Sequence, residues 1–329
     1  ELDPLVLMSK QMLFSAQELY AIHKNSACLV FDCRFDLSNT DSGNRQYLEA
    51  HIPGAVYAHL DDDLSSPVTA TSGRHPLPRS DKFAAFLARS GWRAGMNLIA
   101  YDNAGGAIAA RLWWLMKYFG HDCAGLLDGG IASWQSAGYE LESGGVTTVT
   151  RKPENFNASS EMVISTAEIL NNLGSGQSVL VDVRALERYR GQIEPIDSVA
   201  GHIPGSVNYP LQLSLAQNGR FRPAQQISEE LKGLSNDHPP KDVVYMCGSG
   251  VTACHTLFAS ELAGISGSRL YAGSWSEWIR DPSRPVEPQP GCTLSTRNVC
   301  HPDLASRAGS AQADFFCKVL WRSKSFARK

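Results

Sequence analysis

Tyr47-Leu48-Glu49-Ala50-His51-Ile52-Pro53-Gly54-Ala55-Val56 and Ala200-Gly201-His202-Ile203-Pro204-Gly205-Ser206-Val207 are two versions of one segment. Upstream of each lies a matching apolar run, Val30-Phe31-Asp32-Cys33-Arg34 in the first half and Val181-Asp182-Val183-Arg184 in the second. Downstream, Leu98-Ile99-Ala100-Tyr101-Asp102-Asn103 matches Val243-Val244-Tyr245-Met246-Cys247, with Asn103 read as the partner of Cys247. Last, Asp128-Gly129-Gly130-Ile131-Ala132-Ser133-Trp134 matches Ala272-Gly273-Ser274-Trp275-Ser276-Glu277-Trp278. Four matches in one order at nearly constant spacing mean a duplicated domain, not a solenoid of short repeats.

Within each half, short apolar runs alternate with helical patterns. Residues 27–32, 98–101, 178–182 and 243–246 read as buried strands, and 112–118 and 253–263 as helices. Such alternation implies an α/β fold whose parallel sheets are covered on both faces. Ligands in such folds gather at the carboxyl ends of strands. The expected organisation is a first domain over residues 1–146, an exposed linker over 147–160, a second domain over 161–288 and a basic C-terminal extension over 289–329. Pro288 and Pro290 mark the start of that extension, and one short helix is expected in it near 311–320.

A chain of 329 residues suits two domains, at about 100–200 residues each. Its apolar fraction of 43% against 19% charged allows a sizeable core and argues against disorder. The net charge of −3 gives no nucleic-acid surface. No apolar run approaches the ~18 residues of a membrane span, so no membrane partner is expected. Eight scattered cysteines without a Cys-x-x-Cys pair resemble neither a disulfide scaffold nor a zinc site. Neither metal nor cofactor is expected, and a reducing compartment, the cytoplasm, is the natural setting. The chain opens at Glu1, so a mitochondrial setting is expected instead if a presequence was removed.

The chemistry is expected in Tyr245-Met246-Cys247-Gly248-Ser249-Gly250-Val251-Thr252-Ala253-Cys254. A strand ends, Gly248 and Gly250 permit a tight turn, and a helix begins near Val251. Successive amides in such a turn form an anion-binding nest, to which the helix amino terminus adds positive potential. A cysteine there is favoured as thiolate and acts as a nucleophile. For Cys28, Cys33 and Cys123 the ordinary buried cysteine is the better reading, and Cys254 reads as packing. A cysteine phosphatase would need an arginine six positions after the nucleophile; Ala253 stands there, which argues against phosphoryl transfer.

The Cys247–Thr252 loop, both His-Ile-Pro-Gly segments and Gly273-Ser274-Trp275-Ser276-Glu277-Trp278 resemble the two-domain rhodanese family, over roughly residues 10 to 288. The resemblance implies two tandem rhodanese-like domains, each with a five-stranded parallel sheet flanked by helices, the first of them catalytically silent. It further implies ping-pong sulfur transfer through a Cys247 persulfide. Gly248 and Ser249, where thiosulfate-using relatives carry basic residues, look like the branch that uses 3-mercaptopyruvate. The family's relay maps onto Asp61, His75 and Ser249. Its substrate residues map onto Arg188 and Arg184, together with the loop residues Gly248, Gly250, Val251 and Thr252. A second substrate arginine expected after Glu194-Pro195 is replaced by Ile196, and Arg74 is the candidate to supply that contact.

For Arg184, an internal salt bridge with Asp182 or Glu187 weighs as much as a substrate role. His51 and His202 read as structural parts of their turns. The tryptophans read as mostly core, with Trp275 and Trp278 at the pocket mouth. The expected partners are a small-molecule sulfur donor and a thiol acceptor such as thioredoxin or glutathione, or cyanide. Thiosulfate:cyanide sulfurtransfer, or a persulfide relay fed by a protein partner, stand as alternatives.

Overall fold

The computed structural model describes residues 11–288. The basic extension and its expected helix, from 289 onward, lie outside the described residues, as do residues 1–10.

The first half runs β1 (Leu13–Phe14), α1 (Ala16–Ile22), β2 (Cys28–Asp32), α2 (Ser42–Glu49), β3 (Val56–Tyr57), α3 (Ser80–Arg89), β4 (Asn97–Tyr101), α4 (Ala109–Tyr118), β5 (Ala124–Leu127) and α5 (Gly130–Ser136). Its strands form one parallel sheet in the order β1-β5-β4-β2-β3. The second half repeats the plan with α6 (Thr166–Asn172), β6 (Val179–Asp182), α7 (Leu186–Tyr189), β7 (Val207–Asn208), α8 (Ala224–Ser235), β8 (Val243–Met246), α9 (Ala253–Leu262), β9 (Arg269–Leu270) and α10 (Ser274–Trp278). Its parallel sheet is ordered β7-β6-β8-β9. The fifth strand expected there is reduced to a single parallel bridge, Val163 to Leu270, where the first half has β1 beside β5.

Local chemistry repeats with the topology. Ser15 opens α1 with a capping box closed by Glu18, and Ser165 opens α6 the same way with Glu168. Nδ1 of His51 bonds the carbonyl of Tyr47 at 2.7 Å, and Nδ1 of His202 bonds that of Tyr189 at 2.7 Å. Each imidazole stacks on the same tyrosine. Both histidines therefore hold turns in place. β8 is buried along its whole length and β4 over all but its first residue, as parallel strands between helices require.

The halves share one core. Helices α4 and α9 face each other, Trp113 meeting Phe258 edge to face at 4.9 Å, and a continuous apolar cluster runs from Phe83 and Trp92 through this contact to Ile227 and Leu231. The connecting segment is exposed for most of its length, but Phe156 is buried among Phe83, Trp92 and Phe119. The linker is thus pinned to the first half, because one aromatic ring finds an apolar slot there. Trp275 and Trp278, expected at the pocket mouth, are fully buried in the second half's own core. No helix of the described residues is long and apolar enough to cross a membrane.

Candidate active site

Cys247 follows β8 directly. Its residue exposure is 2%, yet its surroundings are polar on one side. The amide of Gly250 donates to Sγ at 3.1 Å, so a backbone dipole points at the sulfur as the glycine-flanked turn predicts. Gly250 has φ +77°, and a Cβ there would lie 2.3 Å from the carbonyl oxygen of Ala272. Only glycine fits, both for the left-handed backbone and for the close approach. The neighbouring strand-end turn braces the loop. The Cys247 amide donates to Ser274 Oγ at 3.1 Å, Trp275 N–H donates to the Cys247 carbonyl at 3.1 Å, and Ser276 N–H donates to that of Gly248 at 2.8 Å. Val251 is as buried as Cys247, and Thr252 is half-buried.

The other cysteines of the described residues read as packing. Burial pushes Cys28 up to about 12, Cys254 up to about 12, Cys123 up to about 11 and Cys33 well above the thiol range, so all four stay protonated. Cys254 donates its S–H to the Gly250 carbonyl at 3.3 Å, which is packing behind the loop.

The first half completes the site. His75 Nδ1 lies 2.7 Å from Ser249 Oγ, and its Nε2 lies 3.2 Å from Asp61 Oδ1. The hydrogen bond to His75 holds the Asp61 carboxyl below its usual range, so it is anionic at neutral pH. Nε2–H then donates to Asp61, which leaves Nδ1 to accept the Ser249 hydroxyl proton. Burial is the largest influence on His75 and lowers its pKa, while Asp61 opposes that and Arg111 and Arg74 reinforce it. The three residues named from sequence are therefore brought together across the two halves.

Two guanidiniums close over the loop. A Cβ built on Gly248 would be 3.1 Å from Arg74 Nη2 and 3.7 Å from both Nη atoms of Arg188. Asp197 bridges them, to Arg74 Nη1 at 2.5 Å and Arg188 Nη2 at 3.0 Å. Glu194 accepts from Arg188 Nε at 3.1 Å and from Nη2 at 2.7 Å.

Arg184 has a different fate. Its side chain is 1% exposed, forks onto Asp182, donates to the Gly201 carbonyl and lies 4.7 Å over the Trp275 ring. Arg34 makes the same fork onto Asp32 and reaches the Ala50 carbonyl in the first half. Of the two readings left open for Arg184, the structure contains the internal salt bridge with Asp182, and the substrate contact is corrected: its donors are used within the fold, in a pattern that the half without Cys247 shares.

The expected pairing of Asn103 with Cys247 is also corrected, by one residue. Asp32 pairs with Tyr101 and Asp182 with Met246, so Asp102 occupies the place of Cys247. Ile131 N–H donates to the Asp102 carbonyl as Trp275 N–H does to that of Cys247. Asn103 is exposed and bonds Gln46. The Asp102 carboxylate, fully buried, accepts four loop amides, from Ala104, Gly106, Ile108 and Ala109, at 2.8–2.9 Å. The first half thus fills its own nest with a carboxylate.

Sequence reasoning missed Arg111 and Asp197. Arg111, fully buried on α4, donates to the carbonyls of Leu64 at 3.4 Å, His75 at 3.1 Å and Gly250 at 3.2 Å. It ties the histidine loop to the cysteine loop. A lone arginine inside Ala109-Ala110-Arg111-Leu112-Trp113-Trp114-Leu115-Met116 was the available signal.

Fold and site define a tandem α/β protein in which one of two duplicated anion-binding turns carries a cysteine. The rhodanese-like domain family matches residues 15–137 and again 165–281. A probable 3-mercaptopyruvate sulfurtransferase of Pseudomonas aeruginosa is 45% identical over 283 residues, spanning 85% of this chain and 99% of that protein. A putative thiosulfate sulfurtransferase of Mycobacterium tuberculosis, SseB, is 37% identical over 281 residues, spanning 84% of this chain and 96% of that protein. Among solved structures, 3-mercaptopyruvate sulfurtransferase from Leishmania major superposes with a TM-score of 0.72 at 28% identity, over 84% of this chain and 75% of that one. The chain belongs to the rhodanese family.

Proposed function

We propose that the protein is a sulfurtransferase that moves sulfane sulfur from 3-mercaptopyruvate to a thiol or cyanide through a persulfide on Cys247. The observation that carries this reading is the meeting of Cys247, under the Gly250 amide, with the Asp61–His75–Ser249 chain. The Cys247 thiolate attacks the donor's sulfur, and a new S–S bond forms. The donor's C–S bond breaks with its electron pair left on carbon, giving the pyruvate enolate. The donor's thiol proton leaves as the persulfide becomes anionic and passes through Ser249 and His75 to the enolate carbon, giving pyruvate. Loop amides and the helix amino terminus stabilise the anionic sulfur. Arg188 and Arg74 hold the donor's carboxylate. In the second half-reaction an acceptor thiolate or cyanide attacks the outer sulfur and returns Cys247 as thiolate.

Thiosulfate is the second reading. It is favoured by Ile196 in place of a second arginine after Pro195 and by the activity named for the mycobacterial relative. We place the chemistry in a reducing compartment such as the cytoplasm, where thiol acceptors are abundant.

Donor treatment followed by mass spectrometry tests the proposal. The wild type should gain about 32 Da, one sulfur, and Cys247→Ser should gain nothing and lose sulfur transfer by more than about a thousandfold. Retention of transfer by Cys247→Ser would sink the proposal.

A further inference from the structure

Asp197 has no role in the transfer chemistry just described, yet it sits between the two guanidiniums that close over the cysteine loop. Its side chain is 4% exposed. It is held by more than the arginines: its own amide and that of Ile196 both donate to Glu194 Oε1, at 3.0 and 3.1 Å, which fixes the segment that carries it. Arg74 and Arg188 spend other nitrogens on these carboxylates, and present Arg74 Nη2 and Arg188 Nη1 to Gly248, next to the nucleophile. Arg74 and Arg188 therefore face Asp197 and Glu194, and Arg184 also lies 3.5 Å from Glu194 while it pairs with Asp182. An anion arriving at the loop meets hydrogen-bond donors whose positive charge Asp197 and Glu194 offset.

We propose that Asp197 sets the charge of the donor site, and so makes it select a monoanionic thiol of a 2-oxo acid over a dianionic donor such as thiosulfate. The proposal rests on the sulfur-transfer reading above and deepens it. The energy of a ligand in a fixed potential scales with the ligand's charge. A unit of negative charge close to the site therefore penalises a dianion twice as much, in free energy, as a monoanion. Hydrogen bonding alone would favour neither.

Asp197→Asn keeps the shape and removes the charge; Asp197→Ser removes it with a smaller side chain, and thermal melting checks that each is folded. With the donor site less negative by one charge, kcat/KM should rise about threefold for 3-mercaptopyruvate and about ninefold, the square, for thiosulfate. The ratio between donors then moves about threefold toward thiosulfate. A second measurement is independent of sulfur transfer: protection of Cys247 from iodoacetamide by pyruvate should need about threefold less pyruvate in the variants.

An unchanged donor ratio together with unchanged pyruvate protection would overturn the proposal. So would a fall in kcat/KM for both donors, which would make Asp197 a support that orients the arginines. Loss of the fold in both variants would overturn it too, as the carboxylate would then be a structural tie. If the wild type transfers sulfur from neither donor, the parent reading fails, and pyruvate protection still decides the charge of the site.

Discussion

His75 is held by a carboxylate on one side and a hydroxyl on the other, while a buried guanidinium, Arg111, grips its carbonyl. Arg74 and Arg111 both press its pKa down, as burial does, and only Asp61 opposes them. A histidine lowered in this way stays neutral, and able to accept a proton, below the ordinary histidine range. The acidic limb of kcat/KM should accordingly lie below pH 6.5. Asp61→Asn removes the influence that raises the pKa, so that limb should move to still lower pH while the plateau falls by about ten- to a hundredfold. A limb that stays in place as the plateau falls would reduce Asp61 to a structural support. At this scale, Cys247, Ser249, His75 and Arg188 are legible in the sequence because each sits in a short motif of distinctive residue types. Arg111 is not, since its acceptor Gly250 lies far along the chain in the other half. Nor is Asp197: the change to Ile196 draws attention to a missing cation, and an anion that bridges Arg188 to Arg74 in the other half leaves no local pattern.

The turn between β8 and α9 is the element on which the proposed chemistry depends. Its shape is forced at Gly250, where a positive φ coincides with backbone contact against Ala272. Gly250→Ala should cost about 1–3 kcal/mol of stability from backbone strain, with more from the collision. It should also reduce sulfur transfer more than about tenfold, because the amide aimed at Sγ moves. Gly264→Ala is the matched control: φ is +76° but a methyl group there would meet nothing within 4 Å, so it should lose about 1 kcal/mol and keep its activity. Chemical denaturation and steady-state kinetics on the two variants separate these outcomes. The central strands and both helices around this turn are readable from apolar runs, since parallel strands buried on both faces leave continuous hydrophobic stretches. The outer strand of the second sheet is not, because Val163 and Leu270 meet in one bridge and a single pair imposes no period on the sequence. The one-residue slip at Asp102 has a similar origin. Matching Asn103 to Cys247 ignores the sheet register, which only the neighbouring strands fix.

In the whole molecule the two halves are bonded to one another through the site. Arg111 reaches Gly250, His75 reaches Ser249, and His255 of α9 lies 3.1 Å from the Gly105 carbonyl of the first half's loop. His255 is fully buried, stacked on Phe221, and burial pushes its pKa down to about 4 despite the opposing charge of Asp102. An unfolded histidine takes up its proton near pH 6.5, so this group contributes stability above that pH which is lost as pH falls toward 4. The melting temperature of the wild type should therefore drop over that window by roughly 5–10 °C more than that of His255→Gln, in calorimetric scans. Equal drops would remove His255 from the acid response. The duplication is plain in the sequence, but the shared core and the cross-bonding are not, since contacts between distant segments leave no trace in spacing. One consequence follows from the filled turn of the first half. Asp102 is a permanent guest there, bound to four amides for as long as the chain is folded. On the proposed mechanism its counterpart at Cys247 receives its second sulfur only in passing, and must keep the same curvature between visits. The scaffolding that one loop carries within itself is supplied to the other from outside, by Ser274, Ser276 and Arg111, so on that mechanism the Asp102 turn is a lifelong template for the state its partner reaches only during turnover.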